Sequence, residues 1–129
     1  MVEIPEENGV MKKLVIERSY QGDRCRLALS GELRHDNSSQ LFSEVIGLFD
    51  SGVTDLLLDF LGLDYVDTAG LQSLVRIYKH VSDNENLKFR ILAHEGEMME
   101  ILRTCRFDKF IPITLDPDEA SGDWQREPV

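Results

Sequence analysis

Thr68 lies in the segment Val66-Asp67-Thr68-Ala69-Gly70-Leu71, a hydroxyl between a carboxylate and two very small residues. Such a hydroxyl can cap a helix by accepting from an orphan backbone N–H. It can also take a phosphoryl group, because a helix N-terminus tolerates an added anion. Ala69 and Gly70 leave it unshielded and let another protein's surface come close. Asp59, Asp64 and Asp67 could be drawn together as a metal or acid–base cluster. Their simpler reading is one strand-end carboxylate and two turn or cap residues. His35, His80 and His94 lack the spacing of metal ligands, and His80 reads as a polar surface group late in a helix. Cys25 and Cys105 are far apart and read as small buried hydrophobes. With no nucleophile-plus-base motif and no phosphate-cradling Gly-rich loop, the expectation is a protein that is not an enzyme, with no catalytic residue, metal or cofactor.

The elements that must position Thr68 follow from apolar spacing. The run Leu56-Leu57-Leu58-Asp59-Phe60 is of strand length, and residues 54–60 are apolar enough to be covered on both faces. A Gly- and Asp-containing turn then leads into helical spacing, with Leu71, Leu74, Val75 and Tyr78 on one side and Gln72, Ser73, Arg76 and Lys79 on the other. Asp67 or Thr68 is the natural cap of that helix. Upstream, 14–20 and 24–30 read as two strands joined by Gln21-Gly22-Asp23, with Gly31-Glu32-Leu33 as the strand exit. Any of Asp36, Asn37, Ser38 and Ser39 can cap the next helix, whose core face is Leu41, Phe42, Val45, Ile46 and Phe49. Downstream come a strand through Leu87, Phe89 and Ile91, and a helix burying Met98, Ile101, Leu102 and Cys105. A short edge strand at Ile111 and Ile113, marked by Pro112, follows. A hairpin followed by alternating helices and strands gives an α/β domain with a mixed sheet and helices packed against it.

At 129 residues the chain has room for one domain. We expect a disordered leader at 1–10, the folded domain at 11–120, and an acidic flexible tail at 121–129, with a helical turn after Asp116-Pro117. The net charge of −10 argues against a direct nucleic-acid partner, and no apolar run is long enough for membrane insertion. The acidic start lacks the pattern of a secretory signal, so a cytoplasmic location is expected.

The string from Val66 to Leu71, after an apolar strand and before an amphipathic helix, resembles the signature of STAS domains of the anti-sigma factor antagonist (anti-anti-sigma factor) family. The resemblance spans roughly 11–120. It implies a STAS-like fold and a regulator of transcription that works by partner switching. In that scheme the unphosphorylated domain binds a kinase-type anti-sigma factor, phosphorylation at Thr68 by that serine/threonine kinase releases it, and a phosphatase resets it. Asp67, Thr68, Ala69, Gly70, Gln72, Arg76 and Asp36 would then form the partner-binding surface. Gly31-Glu32-Leu33 is similar to a Gly-Glu-Leu/Ile-Asp segment of the family, but Arg34 stands where the family usually has Asp. The alternative within the family is the STAS subunit that binds the ATPase of a phospholipid-transport ABC complex, with Thr68 an interface residue only. Response-regulator receivers, with Asp59 as acceptor, are set aside: the acidic pair after the first strand and a suitably placed late Lys are absent.

Overall fold

The structure, a computed structural model, describes residues 12–115, 118 and 124–126. The expected leader and the turn at Asp116-Pro117 fall outside the described residues. The hairpin is present as β1 (Val15–Gln21) and β2 (Arg24–Leu33), paired antiparallel from Gln21↔Arg24 to Val15↔Ser30. There follow α1 (Ser38–Asp50), β3 (Asp55–Val66), α2 (Thr68–Ser82), β4 (Lys88–Leu92), α3 (Glu97–Thr104), a 3₁₀ turn at Phe107–Lys109, β5 (Ile113–Thr114) and β6 (Gln125–Arg126). The sheet order is β5-β4-β3-β2-β1-β6, parallel from β2 to β5 and antiparallel at β1 and β6. This is the mixed α/β sheet expected from the sequence.

Strands β2 to β5 are added in one direction, so right-handed crossovers put the three helices on one face. The core bears this out. Cys25, Leu27 and Leu29 of β2, Leu56, Leu58 and Phe60 of β3, and Phe89 and Ile91 of β4 share one cluster with Leu41 and Val45 of α1, Leu74 and Ile77 of α2, and Met99 and Leu102 of α3. The alternate residues face the other way. There Leu57 and Leu92 are buried, and Arg26 pairs with Asp59.

Several sequence expectations need correction. Strand β2 runs on through Gly31 to Leu33 rather than ending at Ser30, and β3 runs through Gly62 to Val66 rather than turning after Phe60. The two strands stay paired across register shifts between Ala28 and Ser30 and between Gly31 and Glu32, where β3 contributes an extra residue each time. Gly31 is required there: its φ is 91°, and a Cβ would lie 1.9 Å from the carbonyl oxygen of Lys13. Asp59 is consequently a mid-strand residue, not a strand end.

Helix phases also differ in part. Leu48 is buried on α1 and Ile46 only half-buried, while Ile77 and Ser73 are buried on α2. The Ser73 hydroxyl, expected on the outer face, donates to the Gly70 carbonyl at 2.6 Å. On α3, Met99 and Leu102 face the core, Met98 and Ile101 are half-buried, and Cys105 is exposed rather than buried. Finally, Gln125 and Arg126, expected in a flexible tail, pair with Tyr20 and Ser19 on the free edge of β1, while Trp124 lies 5.1 Å from the Arg24 guanidinium.

Candidate functional site

Because β2 and β3 are parallel and still in register at Leu33↔Val66, the segments that follow them leave the sheet side by side. Asp67 joins them. Its N–H donates to the Leu33 carbonyl at 3.1 Å, its Oδ1 accepts from Gly70 N–H at 2.9 Å, and its Oδ2 accepts from His35 N–H at 2.9 Å. Burial opposes ionisation of this carboxyl, but the Gly70 and His35 N–H groups outweigh it and hold the group below its ordinary value. Asp67 is therefore the N-cap of α2, and Thr68 is the first helical residue rather than the cap.

Relieved of capping, Thr68 is exposed at the positive end of α2. Gln72 and Arg76 follow it along the same side at helical spacing and are exposed as well. The Arg76 guanidinium lies 4.0 Å from the ring centroid of Phe42 on α1, which fixes the far end of this stripe. Ala69 is half-buried. Gly70 is buried, contrary to its expected place on the partner surface. A Cβ there would meet Val66 Cγ2 at 2.7 Å, Leu33 Cγ at 2.9 Å and Leu33 O at 3.0 Å, so this glycine lets the helix start sit against the strand ends.

Asp36 is exposed in the loop that His35 pins to Asp67, and it lines a cavity of about 300 Å³ with Lys12, Lys13, Arg34 and Asn37. Asn37 precedes α1 without a side-chain cap bond. Instead its Oδ1 accepts from Arg34 N–H at 2.8 Å and its Nδ2 donates to Glu32 O at 3.0 Å, closing the loop on itself. Two further residues join this rim: Arg34, which the sequence marked only as a departure from the family pattern, and Tyr65, which it did not mark. Arg34 donates to Glu32 at 2.6 Å and stacks over Tyr65 at 4.6 Å, and Tyr65 is 43% exposed. Tyr65 was hidden by placing it in a turn; its alternation with buried Val66 was the available signal.

The three aspartates do not meet as a cluster. Asp59 pairs with Arg26, Asp64 with Lys12 at 2.7 Å, and Asp67 is the cap. Among the described residues no group of three His, Cys, Asp or Glu is placed to hold a metal, and no helix is long and apolar enough to cross a membrane.

Fold and rim together define a one-sided α/β domain whose distinctive chemistry lies at a strand-to-helix junction. The sequence model of the STAS domain matches residues 16–120, and the chain belongs to that family. Among solved structures, it resembles an anti-sigma factor antagonist from Mycobacterium paratuberculosis at 16% identity and TM-score 0.75, covering 84% of this chain and 91% of the other. It also resembles the anti-sigma factor antagonist SpoIIAA in its unphosphorylated form, at 16% identity and TM-score 0.65, covering 84% and 93%. The Bacillus cell fate determinant SpoIIAA in the phosphorylated form matches at 15% identity and TM-score 0.63, covering 84% and 96%. At these identities the likeness is one of fold.

Proposed function

We propose that this protein is a cytoplasmic anti-sigma factor antagonist, a binding module rather than an enzyme, whose docking to a kinase-type anti-sigma factor is controlled by phosphorylation of Thr68. The observation that carries the reading is that Asp67 takes over the capping role, leaving the Thr68 hydroxyl on an exposed helix start. The likeness in fold to SpoIIAA, known in unphosphorylated and phosphorylated forms, supports it.

In this mechanism the partner docks over the stripe Thr68, Gln72 and Arg76 and the loop carrying Asp36. The kinase then transfers the γ-phosphoryl of ATP to Thr68 Oγ, with ADP leaving and the hydroxyl proton passing to a base or water. The phosphoryl group adds about 1.5 to 2 negative charges beside Asp67. Set in a docked interface without a matching cation, that charge carries a penalty of about 3 kcal/mol, enough to weaken binding by roughly 100-fold. A phosphatase restores the docking form.

The test pairs the chain with the kinase-type anti-sigma factors of its host and ATP. Wild type is expected to form a complex and gain one phosphate, mapped to Thr68 by peptide mass spectrometry. Thr68→Ala should bind without being modified, and Thr68→Asp should not bind. Complex formation with an ABC-transporter ATPase, unaffected by Thr68→Asp, would instead select the lipid-transport reading.

A further inference from the structure

Strand β4 is five residues long and β5 only two, which leaves part of the sheet edge uncovered. Lys88 N–H donates to the Thr54 carbonyl at 2.7 Å, so Lys88 and Arg90 turn their backbone groups toward β3, while Phe89 and Ile91 turn theirs to the outer edge. Ile91 N–H donates to the Pro112 carbonyl at 3.0 Å. The matching donor to the Phe89 carbonyl would be the N–H of residue 112, and proline has none. Before Pro112 the chain leaves the edge for the 3₁₀ turn, where Ile111 N–H donates to the Phe107 carbonyl at 2.8 Å. Among the described residues, neither the N–H nor the C=O of Phe89 therefore has a hydrogen-bond partner. Beside this gap lies a cavity of about 290 Å³, walled by Tyr78 and Val81 of α2, by Leu87 and Phe89, and by Phe110 and Pro112. Phe110 is 38% exposed, and its ring centroid lies 4.9 Å from that of Tyr78 and 5.4 Å from that of Phe107, so the apolar wall is held in place without being covered.

We propose that this edge is a second interaction surface, which takes an extended segment of another protein with one large apolar side chain in the cavity and a carboxylate beside Lys88. Unpaired backbone next to an apolar pocket suits an added strand, because main-chain bonds supply affinity and the pocket selects every second side chain. The next side chains of that strand fall on the helix-free face, where their cross-strand neighbours are the exposed Lys88 and Arg90, the latter 3.6 Å from Asp55. The nearest acids in sequence, Asp83 and Glu85, belong to the loop ahead of the strand. The same two cations disfavour a second copy of this chain, since antiparallel pairing about Phe89 would set Lys88 of one copy against Arg90 of the other. Phe89 is level with Leu56 near the start of β3, whereas the rim follows Val66 at its end, about 30 Å away at the ordinary rise of a strand. Both surfaces can therefore be occupied at once, and the second partner is not released by modification of Thr68. This inference does not depend on Thr68 being a phosphoacceptor.

The probe is a synthetic peptide with the core Glu-Phe-Glu between serines, titrated into the full ¹⁵N-labelled chain and followed by amide resonances. Saturable shifts are expected at Leu87, Phe89 and Phe110, with none at Thr68. The same peptide N-methylated at its Phe cannot donate to the Phe89 carbonyl and should bind about 10-fold more weakly, the scale of one lost main-chain hydrogen bond. Lys88→Glu, at an exposed position, should weaken the unmodified peptide roughly 3-fold or more by setting like charges side by side, while Thr68→Asp should leave it unchanged. No saturable shift at Phe89, equal binding of the N-methylated peptide, or indifference to Lys88→Glu would overturn the proposal. Hydrogen exchange of the free chain tests the other occupants. A Phe89 amide that is protected until residues 1–10 are deleted would assign the edge to the chain's own leader, and one that becomes protected as concentration rises would assign it to a second copy; either result would overturn the proposal.

Discussion

Asp59 and Asp67 belong to one strand and its exit, and in both every carboxylate oxygen is occupied, yet the two regions they serve behave differently. On the helix-free face Asp59 is 2% exposed, with Oδ1 accepting from Leu61 N–H at 2.8 Å and Oδ2 accepting from Arg26 Nε and Nη2 at 2.9 and 2.6 Å. At the rim Asp67 accepts from two backbone N–H groups, with the exposed His35 ring Nδ1 lying 3.7 Å from Oδ2. A guanidinium neutralises the interior charge and joins β2 to β3. At the rim two backbone amides hold the carboxylate and no guanidinium pairs with it, so the helix start is fixed while its surroundings remain responsive to added charge. The donor, more than the acid, decides whether a carboxylate builds the sheet or positions a surface.

The largest effect that would test this contrast is expected from Asp59→Ala. It leaves the Arg26 guanidinium, about three-quarters covered, without its counter-charge inside the sheet. Removing one partner of a buried pair typically costs 3–5 kcal/mol, and the partial exposure of Arg26 puts this case near about 3 kcal/mol. Urea unfolding should show the midpoint fall with an unchanged slope. A loss below about 1 kcal/mol would mean that Arg26 finds water or another partner as easily, and the interior half of the comparison would fail.

Gly70→Ala comes next, because it acts where rim and core touch. The added methyl would meet the Leu33 carbonyl and the side chains of Val66 and Leu33 at 3.0 Å or less. Overpacking of this kind costs about 1–3 kcal/mol, and a gain in helix propensity of about 1 kcal/mol opposes it, so a net loss near about 1 kcal/mol is expected. Thermal unfolding measures it. A stabilised variant would show that the strand ends can part from α2 freely, and that Gly70 is not the packing device its surroundings indicate.

Gly70 also marks where the sequence stopped being legible. Alternation at Cys25, Leu27 and Leu29, the spacing of α2 and a capping Asp before it could be read locally, and they gave the sheet, the helices and the exposure of Thr68, Gln72 and Arg76. What a glycine touches depends on a strand more than thirty positions away, and nothing near Gly70 reveals Leu33. Gly62 misled for a related reason: glycine between aspartates reads as a turn, whereas β3 passes through on register shifts, with Leu63 and Val66 still buried and Asp64 and Tyr65 turned out. The pairing of β6 with β1 is likewise a long-range event, and α3 is too short for its spacing to separate Met98 from Met99.

An effect no larger than that of Gly70→Ala belongs to the rim carboxylate, and it is the one that pH can isolate. The Asp67 carboxyl lies below its ordinary value because the folded chain supplies two N–H donors to its charged form. A group depressed in this way stabilises the fold fully above its unfolded value, near about 3.9, and the contribution is lost as pH falls through the lower folded value. Asp67→Ala should therefore cost about 1 kcal/mol at pH 7, the scale of a lost N-cap, and the gap between variant and wild type should narrow only below about pH 4. Stability measured from pH 7 down to pH 2.5 follows both curves. A gap that stays constant throughout would mean that the side chain contributes through shape alone, since a protonated carboxyl would then hold the loop and helix start as well as the carboxylate does. A gap that closes places the charge itself in the bracket, and with it the electrostatic sensitivity on which a phosphoryl group at the next residue would act.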